Sequence, residues 1–130
     1  MSKSTLLYGE HLVTPGTDVL VVVEGPLDAV WLWHHGIQAV AVLGSFISYT
    51  QAWHLFALRP KRIVLGLDND EAGQEGIKKA SSLMESMFGT VYVARWPEGA
   101  KDAQEVHDAQ ALHTAVEQAV PAYEFILGDQ

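Results

Sequence analysis

Three acidic residues stand where stretches of β-strand character stop: Glu24 after Val19 to Val23, and Asp68 and Asp70 after Arg62 to Leu67. Asp68 and Asp70 are two residues apart, so at an extended strand end both side chains project to the same side. Carboxylates held that close repel, and a proton or a cation relieves the repulsion. Hard oxygen ligands around open positions suit Mg2+, with Mn2+ as the alternative; Mg2+ takes one or two carboxylates, keeps several waters and shares substrate phosphates. Asp28 follows Glu24 by four residues, as a second carboxylate on the metal side or as favourable charge in the first turn of a helix. Gly25, Gly44 and Gly73 flank these positions, where the missing side chain lets backbone, loop or ligand come close. An Asp-x-Asp pair alone is weak evidence, because aspartate after a strand commonly caps the next helix, and Asp70 could do only that. A strand-terminal Glu-Gly together with a strand-terminal Asp-x-Asp is much harder to explain by capping.

Such a cluster needs elements that bring distant carboxylates to one place. Four apolar, β-branched runs supply candidates: Val19 to Val23, Ala39 to Leu43, Arg62 to Leu67 and Thr90 to Ala94. None alternates cleanly between apolar and polar, which indicates strands buried on both faces, as in a parallel sheet covered by helices. Between them, Pro26 to His35 has proline in a first helical turn and Gly36 at a C-terminal cap. Thr50 is placed to cap a helix reaching about Leu58, ended by Pro60. Asp70 is placed to cap a longer helix to Phe88, ended by Gly89, with Ile77, Ala80, Leu83, Met84 and Met87 at helical spacing. The order strand–helix–strand–helix–strand–helix–strand predicts an α/β fold, a three-layer α/β/α arrangement around a mainly parallel four-stranded sheet. In such sheets ligands bind at the carboxyl ends of the strands, where Glu24, Asp68 and the Lys101-Asp102 pair beyond strand four all fall. For Glu24 to meet the aspartates, strands one and three must be neighbours, giving strand order 2-1-3-4. The expected organisation is an irregular lead-in over 1–18 with room for a short helix, the sheet domain over 19–108, and a helical tail over 109–130.

The sequence is 130 residues long, 48% hydrophobic and 18% charged, enough for one domain with a real core. It contains no cysteine, which excludes disulfides and cysteine-bearing zinc sites. The N-terminus reads as neither a signal peptide nor a membrane span, and the expected location is the cytoplasm without membrane association. With 16 acidic and 8 basic residues the net charge is -8, whereas a domain gripping nucleic acid unaided shows a basic surface. Any grip on phosphates must therefore come through bound cations, or from neighbouring domains and partners. Arg59, Lys61 and Arg62 precede the third strand, at the end of the sheet opposite the carboxylates. Only Arg95 and Lys101 are placed to touch a phosphate or nucleotide near the site.

Val22-Val23-Glu24-Gly25-Pro26-Leu27-Asp28-Ala29-Val30 resembles the first motif of the TOPRIM family as it occurs in DnaG-type primases. Ala41-Val42-Leu43-Gly44-Ser45 resembles that family's second strand and glycine turn, and Leu67-Asp68-Asn69-Asp70-Glu71-Ala72-Gly73 its Asp-x-Asp motif. Lys101-Asp102-Ala103-Gln104-Glu105 resembles the later acidic motif, with Gln104 where many primases carry a further aspartate. The resemblance runs from about Val19 through Val106 in order and spacing. It implies a TOPRIM fold and Mg2+-dependent phosphoryl-transfer chemistry in DNA replication, of a phage or mobile-element kind among others. It further implies Glu24 as general base or metal ligand, Asp68 and Asp70 as metal ligands, and Asp28 and Asp102 as supports for a second cation or the incoming nucleotide. Nucleotides, nucleic acid and other replication proteins are the implied partners.

The remaining polar and aromatic residues have plainer explanations. Trp31, Trp33 and Trp53 are expected on helices, packing on the sheet or facing a partner. The histidines show no ligand spacing, Lys78 and Lys79 read as a solvated helix face, and Tyr49 as a core or turn residue. Three functions stay open on the residues: a primase-like nucleotidyl-transfer module, a metal-dependent nuclease using the same carboxylates on water, and a non-catalytic module that recruits a replication partner.

Overall fold

The computed structural model describes residues 6–128; residues 1–5 of the expected lead-in and residues 129–130 of the expected tail lie outside the described residues. Strands β1 (Leu20–Val23), β2 (Ala39–Ala41), β3 (Ile63–Leu65) and β4 (Tyr92–Val93) form inside the four apolar runs. Helices α1 (Pro26–His34), α2 (Tyr49–Ala57) and α3 (Glu71–Phe88) connect them. The sheet order is β2-β1-β3-β4-β5, with β1, β2, β3 and β4 parallel, so the inferred 2-1-3-4 arrangement holds.

The sheet has five strands where four were expected. After α4 (Ala109–Glu117) the segment read as a helical tail forms β5 (Val120–Pro121), which runs antiparallel to β4 before α5 (Ala122–Gly128). A strand of two residues is too short to show a period. Pro121 tolerates the position because an edge strand leaves one side free of ladder bonds. At the opposite edge Tyr8 of the lead-in makes an antiparallel bridge to Ala41, with N–H to O distances of 2.9 and 3.1 Å, next to a 3-10 turn at Glu10–Leu12.

Each face of the sheet carries its own core, because neighbouring strand residues point to opposite sides. Leu20, Val22, Val40 and Leu65 pack under α2, α3 and α5 through Leu55, Ile77, Met84 and Phe125. Val21, Val23, Ala39 and Val64 pack under α1 and α4 through Leu32, Leu112 and Val116. All four residues of β1 are fully buried, which explains the absence of alternation in the sequence. Among the described residues no helix is long and apolar enough to cross a membrane.

Two local expectations need correction. Helix α2 is capped by Ser48, two residues before Thr50: Ser48 Oγ accepts the Gln51 amide at 3.1 Å, and Gln51 Oε1 accepts the Ser48 amide at 2.9 Å. A serine with glutamine three residues on satisfies two donors reciprocally, which a lone threonine cannot. The buried side chain of Gln51 also donates, through Nε2, to the carbonyls of Leu6 and Val42, at 2.8 and 2.9 Å, tying the lead-in to the end of β2. Tyr49 is neither core nor turn; it opens α2 and is 68% exposed.

Candidate metal centre

At the carboxyl end of the parallel strands, Glu24 follows β1 and Asp68 follows β3, which are hydrogen-bonded neighbours. The Glu24 carboxylate spans two loops. Its Oε2 accepts the Asp68 amide at 2.6 Å, and its Oε1 accepts the Ser45 hydroxyl at 2.9 Å. Asp28 sits in the first turn of α1 and is only 6% exposed. Its Oδ1 accepts the amide of Gln104 at 3.1 Å, which draws the segment after β4 against α1. Asp102 lies in that segment, capping a 3-10 turn at Ala103–Glu105 by accepting the Glu105 amide at 3.1 Å. The Asn69 amide donates to the Lys101 carbonyl at 2.6 Å, fixing the same segment to the loop after β3.

These bonds gather Asp28, Asp68 and Asp102, each with a carboxylate oxygen within 4.8 Å of the others, as the one such acidic group among the described residues. Glu24 adjoins it through the Asp68 amide. Asp70 stands apart from the trio: its Oδ1 accepts the Gly73 amide at 2.7 Å as the cap of α3, and its Oδ2 lies 3.8 Å from Lys101 Nζ. Arg95 holds its guanidinium 4.4 Å from the Phe125 ring and lines a cavity of about 100 Å³ with Asp68 and Asn69. Gly25 would place a Cβ 3.2 Å from Asp28 Oδ2, and Gly73 would place one 1.9 Å from the Asp68 carbonyl oxygen. At Gly44 a Cβ would meet nothing within 4 Å; the close approach in that loop falls one residue later, where Gly76 packs on the Ser45 carbonyl. Sequence reasoning read Ser45 only as part of the small Gly44-Ser45 turn, not as a partner of Glu24, and passed over Gly76. A second glycine three residues after Gly73, inside an otherwise good helix, was the available signal for Gly76.

The electrostatics match a cation site. Burial pushes the Asp68 carboxyl up to about 7, and the charges of Glu24, Asp28, Asp102 and Asp70 push it the same way. Burial raises Asp28 to about 6 against the opposing hydrogen bond from Gln104, with Asp102 and Glu24 adding to the rise. Asp68 Oδ1 is buried without a hydrogen-bond partner. A buried acceptor left so is costly unless something electropositive meets it, and a hard cation fits the donor set of three carboxylates.

A pH dependence follows. Free aspartate titrates near 3.9, so between about pH 4 and pH 7 the folded, metal-free protein holds more protons on Asp28 and Asp68 than the unfolded chain does. Stability present below pH 4 is therefore lost as pH rises through 6 and 7. Melting temperatures measured in chelator should fall from pH 5 to pH 8 relative to an Asp28→Asn, Asp68→Asn variant. Added Mg2+ should stabilise more at pH 8 than at pH 5.5, since the ligands must be deprotonated. A parent-minus-variant difference that stays flat or rises over that range would contradict the crowding of these carboxylates.

A family model described as Toprim-like matches residues 21–107. The DNA primase DnaG of Pyrococcus horikoshii is 35% identical over 117 residues, which is 89% of this chain and 24% of that protein. A DNA primase domain from Pseudomonas aeruginosa superposes with a TM-score of 0.81 at 28% identity, over 99% of this chain and 43% of that one. A DnaG primase catalytic domain bound to single-stranded DNA superposes with a TM-score of 0.78 at 26% identity, over 99% of this chain and 43% of that one. The chain thus spans less than half the length of each relative.

Proposed function

Because this chain belongs to the Toprim-like family and its relatives are DnaG-type primases, we propose that it contributes Mg2+-assisted nucleotidyl transfer to primer synthesis in DNA replication, acting with other domains or partners in the cytoplasm. The observation that carries this reading is the trio Asp28, Asp68 and Asp102 at the carboxyl end of the sheet, with Asp68 Oδ1 buried and unpartnered. These three would hold the cation, Mg2+ or Mn2+, with Asp70 near the same loop. What a bound Mg2+ supplies in such chemistry is neutralisation and orientation of phosphate oxygens.

The chain's own residues supply the rest. Glu24 is fixed through both oxygens, so its carboxylate keeps one orientation and can receive the proton of an attacking hydroxyl. Lys101 is largely exposed beside Asp70 and can meet a phosphate by shifting from that carboxylate. Arg95, with its guanidinium over the Phe125 ring, lines the same cavity as Asp68. Nucleic acid is the proposed partner by analogy with the relative solved with single-stranded DNA. At a net charge of -8 the domain gives phosphates little attraction of its own, which favours cations and other basic protein as the bridge.

The test uses labelled single-stranded DNA, ribonucleotides and Mg2+. The expected results are nucleoside triphosphate binding that requires Mg2+ or Mn2+ and is lost in Asp68→Asn, and extension products when partner proteins supply template contacts. Shortening of the DNA would assign hydrolysis instead. Triphosphate binding indifferent to both the cation and Asp68→Asn would sink the metal reading altogether.

A further inference from the structure

The loop between β2 and α2 is held to the site from three directions. The Leu43 amide donates to the Glu24 carbonyl at 2.8 Å, and Leu43 adopts a left-handed φ of 62°, a conformation that non-glycine residues rarely take. The Ser45 carbonyl packs on Gly76, where a Cβ would sit 2.0 Å away. The Ser45 hydroxyl donates to Glu24 Oε1. Strain and close packing of this kind persist only where the surroundings determine the local geometry.

We propose that Ser45 is a positioning residue: its hydroxyl fixes the Glu24 carboxylate so that the other oxygen holds the Asp68 amide, and thereby sets where Asp68 stands in the acidic trio. The Glu24 carboxylate has two single-bond torsions beyond Cβ, and the residue is only half-buried. With only the Asp68 amide as partner it could rotate toward solvent, away from the carboxylates that repel it. The hydroxyl occupies the second oxygen and closes that route. Because Asp68 is joined to Glu24 through its backbone, a shift of Glu24 displaces the residue whose side chain reaches both Asp28 and Asp102. Groups that orient metal ligands without touching the metal typically alter affinity by about 10- to 100-fold when removed. The role as it bears on a cation rests on the metal-dependent function proposed above, whereas the hydrogen-bond chain stands independently of it.

The experiment compares the full chain with Ser45→Ala and Ser45→Thr, each labelled with 15N. In the metal-free protein, amide exchange at Asp68 should quicken by about 10-fold in Ser45→Ala, the loss of roughly one hydrogen bond. Exchange at Val22, in the buried strand, should stay as in the parent, which separates loss of positioning from general loosening. The Mg2+ concentration giving half-maximal thermal stabilisation should rise about 10-fold or more. Ser45→Thr, which retains the hydroxyl, should restore both. An Asp68 amide as protected in Ser45→Ala as in the parent would overturn the proposal, and so would an unmoved Mg2+ midpoint alongside a loosened amide. If the parent itself shows no response to Mg2+, the metal function fails, and the amide comparison still decides whether Ser45 positions Glu24 and Asp68.

Discussion

Asp68→Asn should melt higher than the parent in chelator at pH 8, by about 5 °C, and should no longer be stabilised by Mg2+. Both effects have one origin. Asp68 is pushed to about 7 by burial and by four neighbouring carboxylates, so at pH 8 the metal-free protein holds a charge its surroundings oppose. Asparagine keeps the shape, removes the charge, and offers N–H donors to Asp28 and Asp102 beside it. The same change deletes the ligand that joins the trio. In the parent, free Mg2+ at 100 times its dissociation constant should add about 2.7 kcal/mol of stability. In Asp68→Asn that gain should vanish, so the order of the two melting temperatures reverses when chelator is replaced by Mg2+. Where a binding site is built from mutually repelling groups, neutralising one of them raises metal-free stability at the expense of binding. If Asp68→Asn melted lower than the parent in chelator, crowding of charge would not be the dominant stress there. If Mg2+ still stabilised it fully, the cation would bind elsewhere.

Gly73→Ala should cost about 3 kcal/mol or more, although alanine is the better helix former by about 1 kcal/mol. The Cβ would stand 1.9 Å from the Asp68 carbonyl oxygen, 2.8 Å from its carbon and 3.1 Å from its nitrogen. These are backbone atoms, so no side-chain rotation makes room. Relief requires the first turn of α3 to move off the loop, which breaks the bond from the Gly73 amide to Asp70 and disturbs the loop that the Asp68 amide anchors to Glu24. Gly44→Ala is the control, since its Cβ meets nothing within 4 Å and its effect should stay within about 0.5 kcal/mol. Urea unfolding measures both: the midpoint should drop sharply for Gly73→Ala at unchanged slope and hardly move for Gly44→Ala. Equal midpoints for the two variants would show that α3 has freedom the close contact denies it.

The layers, and the end of the sheet where the acidic residues gather, are legible in the amino-acid pattern. Runs such as Leu20 to Val23 carry no polar residue because both faces are covered, and that pattern is visible without coordinates. The motifs end on Glu24 and Asp68, and the requirement that these two meet fixed β1 beside β3. Asp70 as the cap of α3 and Gly89 as its end were equally legible, because capping is a local interaction between residues close in the chain. Which carboxylates come together depends instead on contacts between segments far apart in the chain. Asp102 joins Asp28 and Asp68 because the Gln104 amide reaches Asp28 and the Asn69 amide reaches the Lys101 carbonyl, contacts between segments that no periodicity links. The same holds for Ser45 on Glu24, for Gly76 against the Ser45 carbonyl, and for β5, whose two residues pair with β4 across a helix. Periodic patterns report how one segment buries its own surface. Which atoms of distant loops come within hydrogen-bonding reach is set by how the layers pack, and a site made from four loops is fixed at that level.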